Sequence, residues 1–411
     1  MAARIDTSHA ERATHPAAFL VLLFPFGASS GYIVVTLGYL LTHRGVSVAA
    51  VAGLTAISLV PQTWKFAWAP IVDTTLTPKV WYVIGALGTG GLIALTGIIP
   101  VGADTLPLMT ALVFAFSVAS SFLGMATESL AAHATDEAKK GRAGGWLQAG
   151  NLGGQGIGGG LGLWVAQHAS MAWLSPLAVG VICAACMAAL PFVYEKERRL
   201  RQARYLSDLA DVAKDVWSIA RTRLGYLALL ILFLPIGTGA ASNLWAALSG
   251  DWHASADTVA LVNGALGGVV STFACLAGGY VSDALDRKIA YSLFGVLIAV
   301  CAVAMALAPR TPTMFVFFTL FYAALLGGAY SAFSAVTLEA IGRGAAATKY
   351  NLLASLSNIP IAWMTLVDGW AHSRWGSGGM LFVEAAIGVV AIGFFGVLAA
   401  LTRARERLVQ V

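Results

Sequence analysis

The sequence predicts an all-α membrane protein, twelve transmembrane helices arranged as two six-helix bundles, and three observations carry that prediction. Of the 411 residues, 58% are hydrophobic and 11% charged, where soluble domains carry about 25% charged residues. Apolar runs recur at the length that a hydrocarbon core about 30 Å thick demands, roughly 20 residues each. The second half of the chain repeats landmarks of the first at a fixed offset.

The polar stretch 1–16 reads as an amino-terminal tail, and the apolar run after it is long enough to span, so the first helix is expected to act as its own insertion signal. Six helices follow near 17–41, 48–70, 80–99, 106–132, 143–167 and 171–194, forming a first bundle over 17–194. Residues 195–223 are charged. Within them Leu206, Leu209, Val212, Val216 and Ile219 recur at three- and four-residue spacing, the pattern of an amphipathic linker helix on the membrane surface. A second bundle over 224–402 is expected from helices near 224–248, 256–281, 288–308, 313–341, 346–371 and 379–402, with a tail at 403–411.

Charge placement orients the chain. With both termini on the cytoplasmic side, 21 of the 25 basic residues fall in cytoplasmic segments, and only Arg44, Arg310 and Arg374 fall outside. Lys65 remains within the membrane. This is the asymmetry of the positive-inside rule; the formal net charge of +5 therefore reflects membrane orientation and points to no nucleic acid.

The internal repeat is specific. Phe24-Pro25-Phe26-Gly27 matches Leu234-Pro235-Ile236-Gly237, and Asp73 matches Asp283, both at an offset of 210; Glu128 matches Glu339 at 211. Two bundles related by an axis along the membrane normal are expected.

Gly279-Tyr280-Val281-Ser282-Asp283-Ala284-Leu285-Asp286-Arg287-Lys288 resembles the cytoplasmic loop motif of the major facilitator superfamily: a glycine, an aspartate four residues on, then a basic pair. The amino-terminal copy keeps Asp73 and Lys79 but lacks the glycine and the basic pair. The resemblance implies one fold over essentially the whole chain. Trp64-Lys65-Phe66-Ala67-Trp68-Ala69-Pro70-Ile71-Val72-Asp73 is similar to a narrower branch, which contains AmpG-like muropeptide permeases, acetyl-CoA transporters and single-component siderophore permeases. That branch typically carries a Gln-Asp pair and a further acidic residue in its fourth helix, whereas here only Glu128 is present.

Ionisable residues inside a membrane cost about 2.5–3.5 kcal/mol each at mid-helix. They are few: Lys65, Glu128 and Glu339, with Asp368 and Glu384 as further candidates. Lys65 precedes Asp73 by eight residues, about 12 Å along a helix. It either contacts an anionic group of a substrate or serves gating and packing, its stem reaching the inner surface with Trp64 and Trp68 as anchors. Glu128 followed by Arg142, and Glu339 followed by Arg343, resemble the superfamily's charge relay with Asp73, Asp283 and Arg287. These groups are read as gating or proton-coupling residues, or as simple interface charges.

In the fold implied, helices 1, 4, 7 and 10 line the central cavity, flanked by 2, 5, 8 and 11. Besides Lys65, the candidate substrate contacts are Ser30, Tyr32, Gln148, Asn151, Asn243, Trp245, Tyr330, Tyr350, Asn351 and Asn358, each with the alternative of an interhelical hydrogen bond. Amide and aromatic groups of this kind suit a polar organic solute. From Gly141 to Gly162, eleven of 22 residues are glycine. The run resembles the superfamily's fifth-helix antiporter motif without its proline, and it permits close backbone packing. No strand precedes it and no Gly-Lys-Ser/Thr follows, so it is not a phosphate loop.

Cys183-Ala184-Ala185-Cys186 matches the redox spacing but lies in an apolar run, where two small packing residues are expected. The histidines His133, His168, His253 and His372 fall at helix ends and outer loops without metal-ligand spacing, and no nucleophile–base arrangement emerges, so neither cofactor nor enzyme activity is expected. The expectation is a monomeric, proton-coupled secondary transporter in a bacterial inner membrane, importing a bulky polar solute such as a muropeptide by alternating access. A ferric-siderophore importer, a proton-coupled exporter and a non-transporting assembly factor are the alternatives.

Overall fold

The computed structural model describes residues 14–15, 17–134, 140–195, 214, 217, 220–341 and 352–409, without the side chains of several helix-end residues, Asp73, Arg142, Asp283 and Glu339 among them. The described residues are helical and contain no strand. The first bundle comprises α1 (Ala17–His43), α2 (Val48–Thr63, continuing as Lys65–Thr74), α3 (Pro78–Leu95), α4 (Leu106–Ala134), α5 (Lys140–His168) and α6 (Leu174–Ala185, extended by Cys186–Phe192). The second comprises α7 (Arg223–Phe233, resuming at Ala240–Leu244), α8 (Ala256–Ser282), α9 (Arg287–Leu307), α10 (Pro312–Ile341), α11 (352–375) and α12 (377–409), the last two separated at Gly376, where φ is +67°.

Caps fix several helix starts. Ser47 accepts the Ala50 N–H at 3.2 Å to begin α2. Asp286, within the loop motif, accepts the N–H groups of Lys288 and Ile289 at 3.0 and 3.3 Å to begin α9. Each side chain satisfies donors that the first helical turn leaves unpaired.

The seventh span departs from the continuous helix expected over 224–248. It stops at Phe233 and resumes at Ala240, because Pro235 has no N–H to donate and Gly237 and Gly239 take φ of +60° and +64°. Backbone groups exposed by such a break need partners inside a membrane. One is supplied across the bundle, where the Tyr291 hydroxyl donates to the Ile236 carbonyl. In α1 the matching Pro25 is accommodated within the helix, and a distortion appears about two turns later as a π segment, Tyr32–Leu37.

The glycine-rich α5 is explained by its two neighbours. Added Cβ atoms at Gly150, Gly154 and Gly158 would collide with the α1 backbone at Leu20, Phe24 and Ala28. One face over, added Cβ atoms at Gly156 and Gly160 would lie 2.6 and 2.7 Å from the carbonyl oxygens of Gly264 and Ala260 in α8. Two glycine rows with four-residue spacing therefore bring α5 into backbone contact with α1 in its own bundle and with α8 in the other.

Among the described residues, the bundles meet mainly on one side. The first half of α2 packs against α11, with Ala49 and Ala52 against Gly369, and α5 packs against α8 at the glycines just described. At the same end, His168 of α5 lies 3.8 Å from Asp257 of α8. The second half of α2, Lys65–Thr74, packs instead against α4, α3 and its own first half. Among the described residues, contact between bundles is concentrated at the closed end, which holds the α1–α2 and α7–α8 connections, and the opposite end, with fewer such contacts, is the open one.

Candidate functional site

The second span breaks for a single residue at Trp64, and directly after the break Lys65 points into its own bundle. Its Nζ lies 2.6 Å from Oε1 of Glu128 on α4, with side chains 13% and 24% exposed. Trp68, one turn on, sits against Phe122 of α4 at 6.0 Å between ring centroids, and Trp81 of α3 stacks on Phe122 at 4.9 Å. Trp64 itself is 58% exposed. The Trp-Lys-Phe-Ala-Trp string thus joins the open-end half of α2 to α4 by one charge pair and an aromatic stack. The relay expected of Glu128 with Arg142 and Asp73 involves side chains outside the described residues; among the described residues Glu128 meets Lys65.

In the second bundle the broken α7 borders a pocket lined by Leu234, Gly237, Thr238, Tyr291, Leu326, Tyr330, Phe333 and Ser357 together with neighbouring apolar residues. Tyr330 is 43% exposed there. The resumed part of α7 is fixed to the helices behind it. Asn243 donates from Nδ2 to Thr365 Oγ1 of α11 at 3.1 Å, and the Trp245 ring meets Tyr322 of α10 edge-on at 5.2 Å.

Behind this segment lies a polar cluster that the sequence reading only partly anticipated. Glu384 of α12 accepts the Ala241 N–H at 3.2 Å and the Tyr322 hydroxyl at 2.7 Å, both at Oε1. Its Oε2 and both carboxyl oxygens of Asp368 in α11 are buried without a hydrogen-bond partner among the described residues. Asp368 is wholly buried and Glu384 nearly so. Tyr322 was not a candidate: a tyrosine in an apolar helix carries no signal until its neighbours are known.

The remaining candidates separate. Tyr32 is buried within the first bundle, its hydroxyl 2.8 Å from Thr96 Oγ1. Gln148 is exposed and Asn151 half-buried near the open end of α5, with Asn151 Nδ2 donating to Gln148 Oε1 at 3.4 Å. Trp245 is 3% exposed. Asn358 donates within its own helix, to the Ala354 carbonyl at 3.1 Å. Ser30 is half-buried, and Arg287 is exposed at the start of α9. Tyr350 and Asn351, and the side chains of Asp73, Arg142, Asp283 and Glu339, lie outside the described residues. The four cysteines are free thiols, with Cys183 and Cys186 both buried.

The sequence over residues 18–242, more than half of the chain, matches the model of the Major Facilitator Superfamily. The chain belongs to that superfamily and is a multi-pass membrane transporter. Among solved structures, it is similar to the nucleoside transporter NupG, at 11% identity and a TM-score of 0.69, covering 93% of this chain and 98% of that one. A D-xylose-proton symporter matches at 15% identity and 0.67, covering 93% and 96%. A bacterial homologue of the human lysosomal transporter Spinster, in an inward-facing and unoccupied conformation, matches at 12% identity and 0.66, covering 94% and 96%. At these identities the likeness is one of fold.

Proposed function

We propose that the protein is a proton-coupled importer of a bulky polar organic solute, muropeptide-like in size and character, working by rocking of its two bundles. The observation that carries this reading is the one-sided closure among the described residues: the first half of α2 is held by α11 and α5 by α8, while the second half of α2, whose Lys65 pairs with Glu128 of α4, packs within its own bundle. A site reachable from one side at a time is what alternating access requires. The charge asymmetry supports a cytoplasmic open end, and with it the reading of this arrangement as inward-facing. Tyr330 at the pocket beside the broken α7, and Gln148 with Asn151 on α5 of the first bundle, supply hydrogen-bonding groups to a hydroxyl- and amide-rich solute. The string around Lys65, with its likeness to muropeptide permeases, supports the choice of solute.

Purified protein in proteoliposomes tests both halves of the reading. Muropeptide, ferric siderophore and acyl-CoA compounds are first screened by thermal shift, since a ligand that binds the native state raises its apparent stability. Counterflow of the binder under imposed pH gradients then gives direction. Accumulation driven by acid outside is expected; accumulation driven by acid inside would make the protein an exporter.

A further inference from the structure

Glu384, Asp368 and Tyr322 are brought together from α12, α11 and α10 against the resumed segment of α7, deep in the second bundle. The titratable groups facing the two carboxyls are Tyr322 and, from α9, Cys301; each carboxyl lies within electrostatic range of Tyr322, and Asp368 within range of Glu384. From α7 come the Ala241 N–H, on Glu384, and the Trp245 ring, on Tyr322, and from α2 the small residues packed on α11. No lysine, arginine or histidine pairs with either carboxyl among the described residues, and no third ligand completes a metal site there. Two unpaired negative charges at this depth are far costlier than one shared or neutralised by a proton. Three of the four carboxyl oxygens are free to carry it.

A titratable residue nearer the surface lies on the same helix. His372 lies one turn beyond Asp368 and on the same face, about 6 Å along the axis. Its Nε2 is 3.5 Å from Oδ2 of Asp251, whose side chain is 43% exposed at the closed end of the molecule.

We propose that Asp368 and Glu384 form a proton-binding pair, filled from the closed end by way of Asp251 and His372, whose occupancy sets how firmly α12 holds the broken helix α7. The step is a simple uptake. A proton delivered through the imidazole adds to a free carboxyl oxygen; at Glu384 this is Oε2, which leaves Oε1 a neutral carbonyl still facing the Ala241 N–H and the Tyr322 hydroxyl. Hydrogen bonds to a neutral acceptor are weaker than those to a carboxylate. Protonation therefore loosens α7 at the point where its helix restarts, beside the pocket. This rests on the proton-coupled reading for its role in transport, but the binding of the proton does not.

The test is infrared difference spectroscopy of the purified protein, which detects the carbonyl band of a protonated carboxylic acid with no substrate present. Wild type is expected to show a buried carboxylic acid band that shifts on H/D exchange and fades as pH rises, and Asp368→Asn or Glu384→Gln should remove or displace it. A band absent at every pH, or unchanged in both variants, overturns the proposal, as does a band that responds to sodium at fixed pH rather than to protons. Hydrogen exchange at one pH reads the second half: peptides covering 234–245 should exchange several-fold faster in Glu384→Gln than in wild type, and equal rates would refute the hold on α7. If liposome transport proves independent of pH while the band is present, the coupled-import reading fails and the proton site stands.

Discussion

Lys65 Nζ lies 2.6 Å from Glu128 Oε1, so the lysine that stands alone in the second span is one half of a charge pair with the fourth. Breaking a buried pair from one side leaves an uncompensated charge, at a cost of about 3–5 kcal/mol when burial is complete and less at the partial exposure here. Lys65→Met and Glu128→Gln should each lower thermal stability, and the double variant should lose less than the sum. A double-mutant cycle giving zero coupling would count against the pair. The charge-swapped variant Lys65→Glu with Glu128→Lys separates the roles: restored transport means that the pair serves structure or gating, and restored stability without transport means that Lys65 itself meets the substrate.

Neighbouring glycines of α5 should respond oppositely to substitution. A Cβ at Gly154 would collide with the Phe24 carbonyl of α1, whereas a Cβ at Gly153 meets nothing within 4 Å. Gly154→Ala should destabilise by about 1–3 kcal/mol, as overpacking does, and Gly153→Ala should be neutral or stabilising by up to about 1 kcal/mol. Thermal melts of the two variants side by side check this.

Stability should fall in acid through Asp251. The hydrogen bond from His372 holds its carboxyl below the ordinary aspartate range against partial burial, with Ser377 and Arg310 adding to the downward pull. A carboxyl depressed on folding stabilises above its unfolded value, about 3.9, and that contribution is lost as pH falls through the lower folded value. Asp251→Asn should therefore lower the melting temperature at pH 6 and flatten its decline below about pH 4. Parallel curves for variant and wild type would rule out the contribution.

Tyr330 tests the pocket. It is 43% exposed beside the broken α7. Tyr330→Ala should leave the melting temperature within about 1 °C, as for a surface change, and weaken binding of any solute found in the thermal-shift screen by at least about tenfold, or 1.4 kcal/mol. Unchanged affinity would move the site elsewhere.

Span number, the repeat and the family were legible because each rests on local composition or on a short string: twenty apolar residues, an aspartate after the second and eighth spans, a proline-glycine pair in the first and seventh. The glycine run was legible as a packing device, but its division into an α1 face and an α8 face was not. That division depends on which helices surround α5. The break in α7 could be read only as a proline in an apolar run; Pro25 occupies the matching place in α1 and leaves that helix continuous.

By itself, the sequence determined that this chain crosses the membrane twelve times as two related bundles, and that Lys65 stands where its repeat partner, Cys275, carries no charge. Apolar length and repeat offset are properties of the chain, so one dimension suffices for them. The tertiary structure decided what the charges are for: it gave Lys65 to Glu128 across 63 residues, and it set Asp368 and Glu384 together without a cation. Partners of that kind come from different helices, and only packing chooses which helices meet.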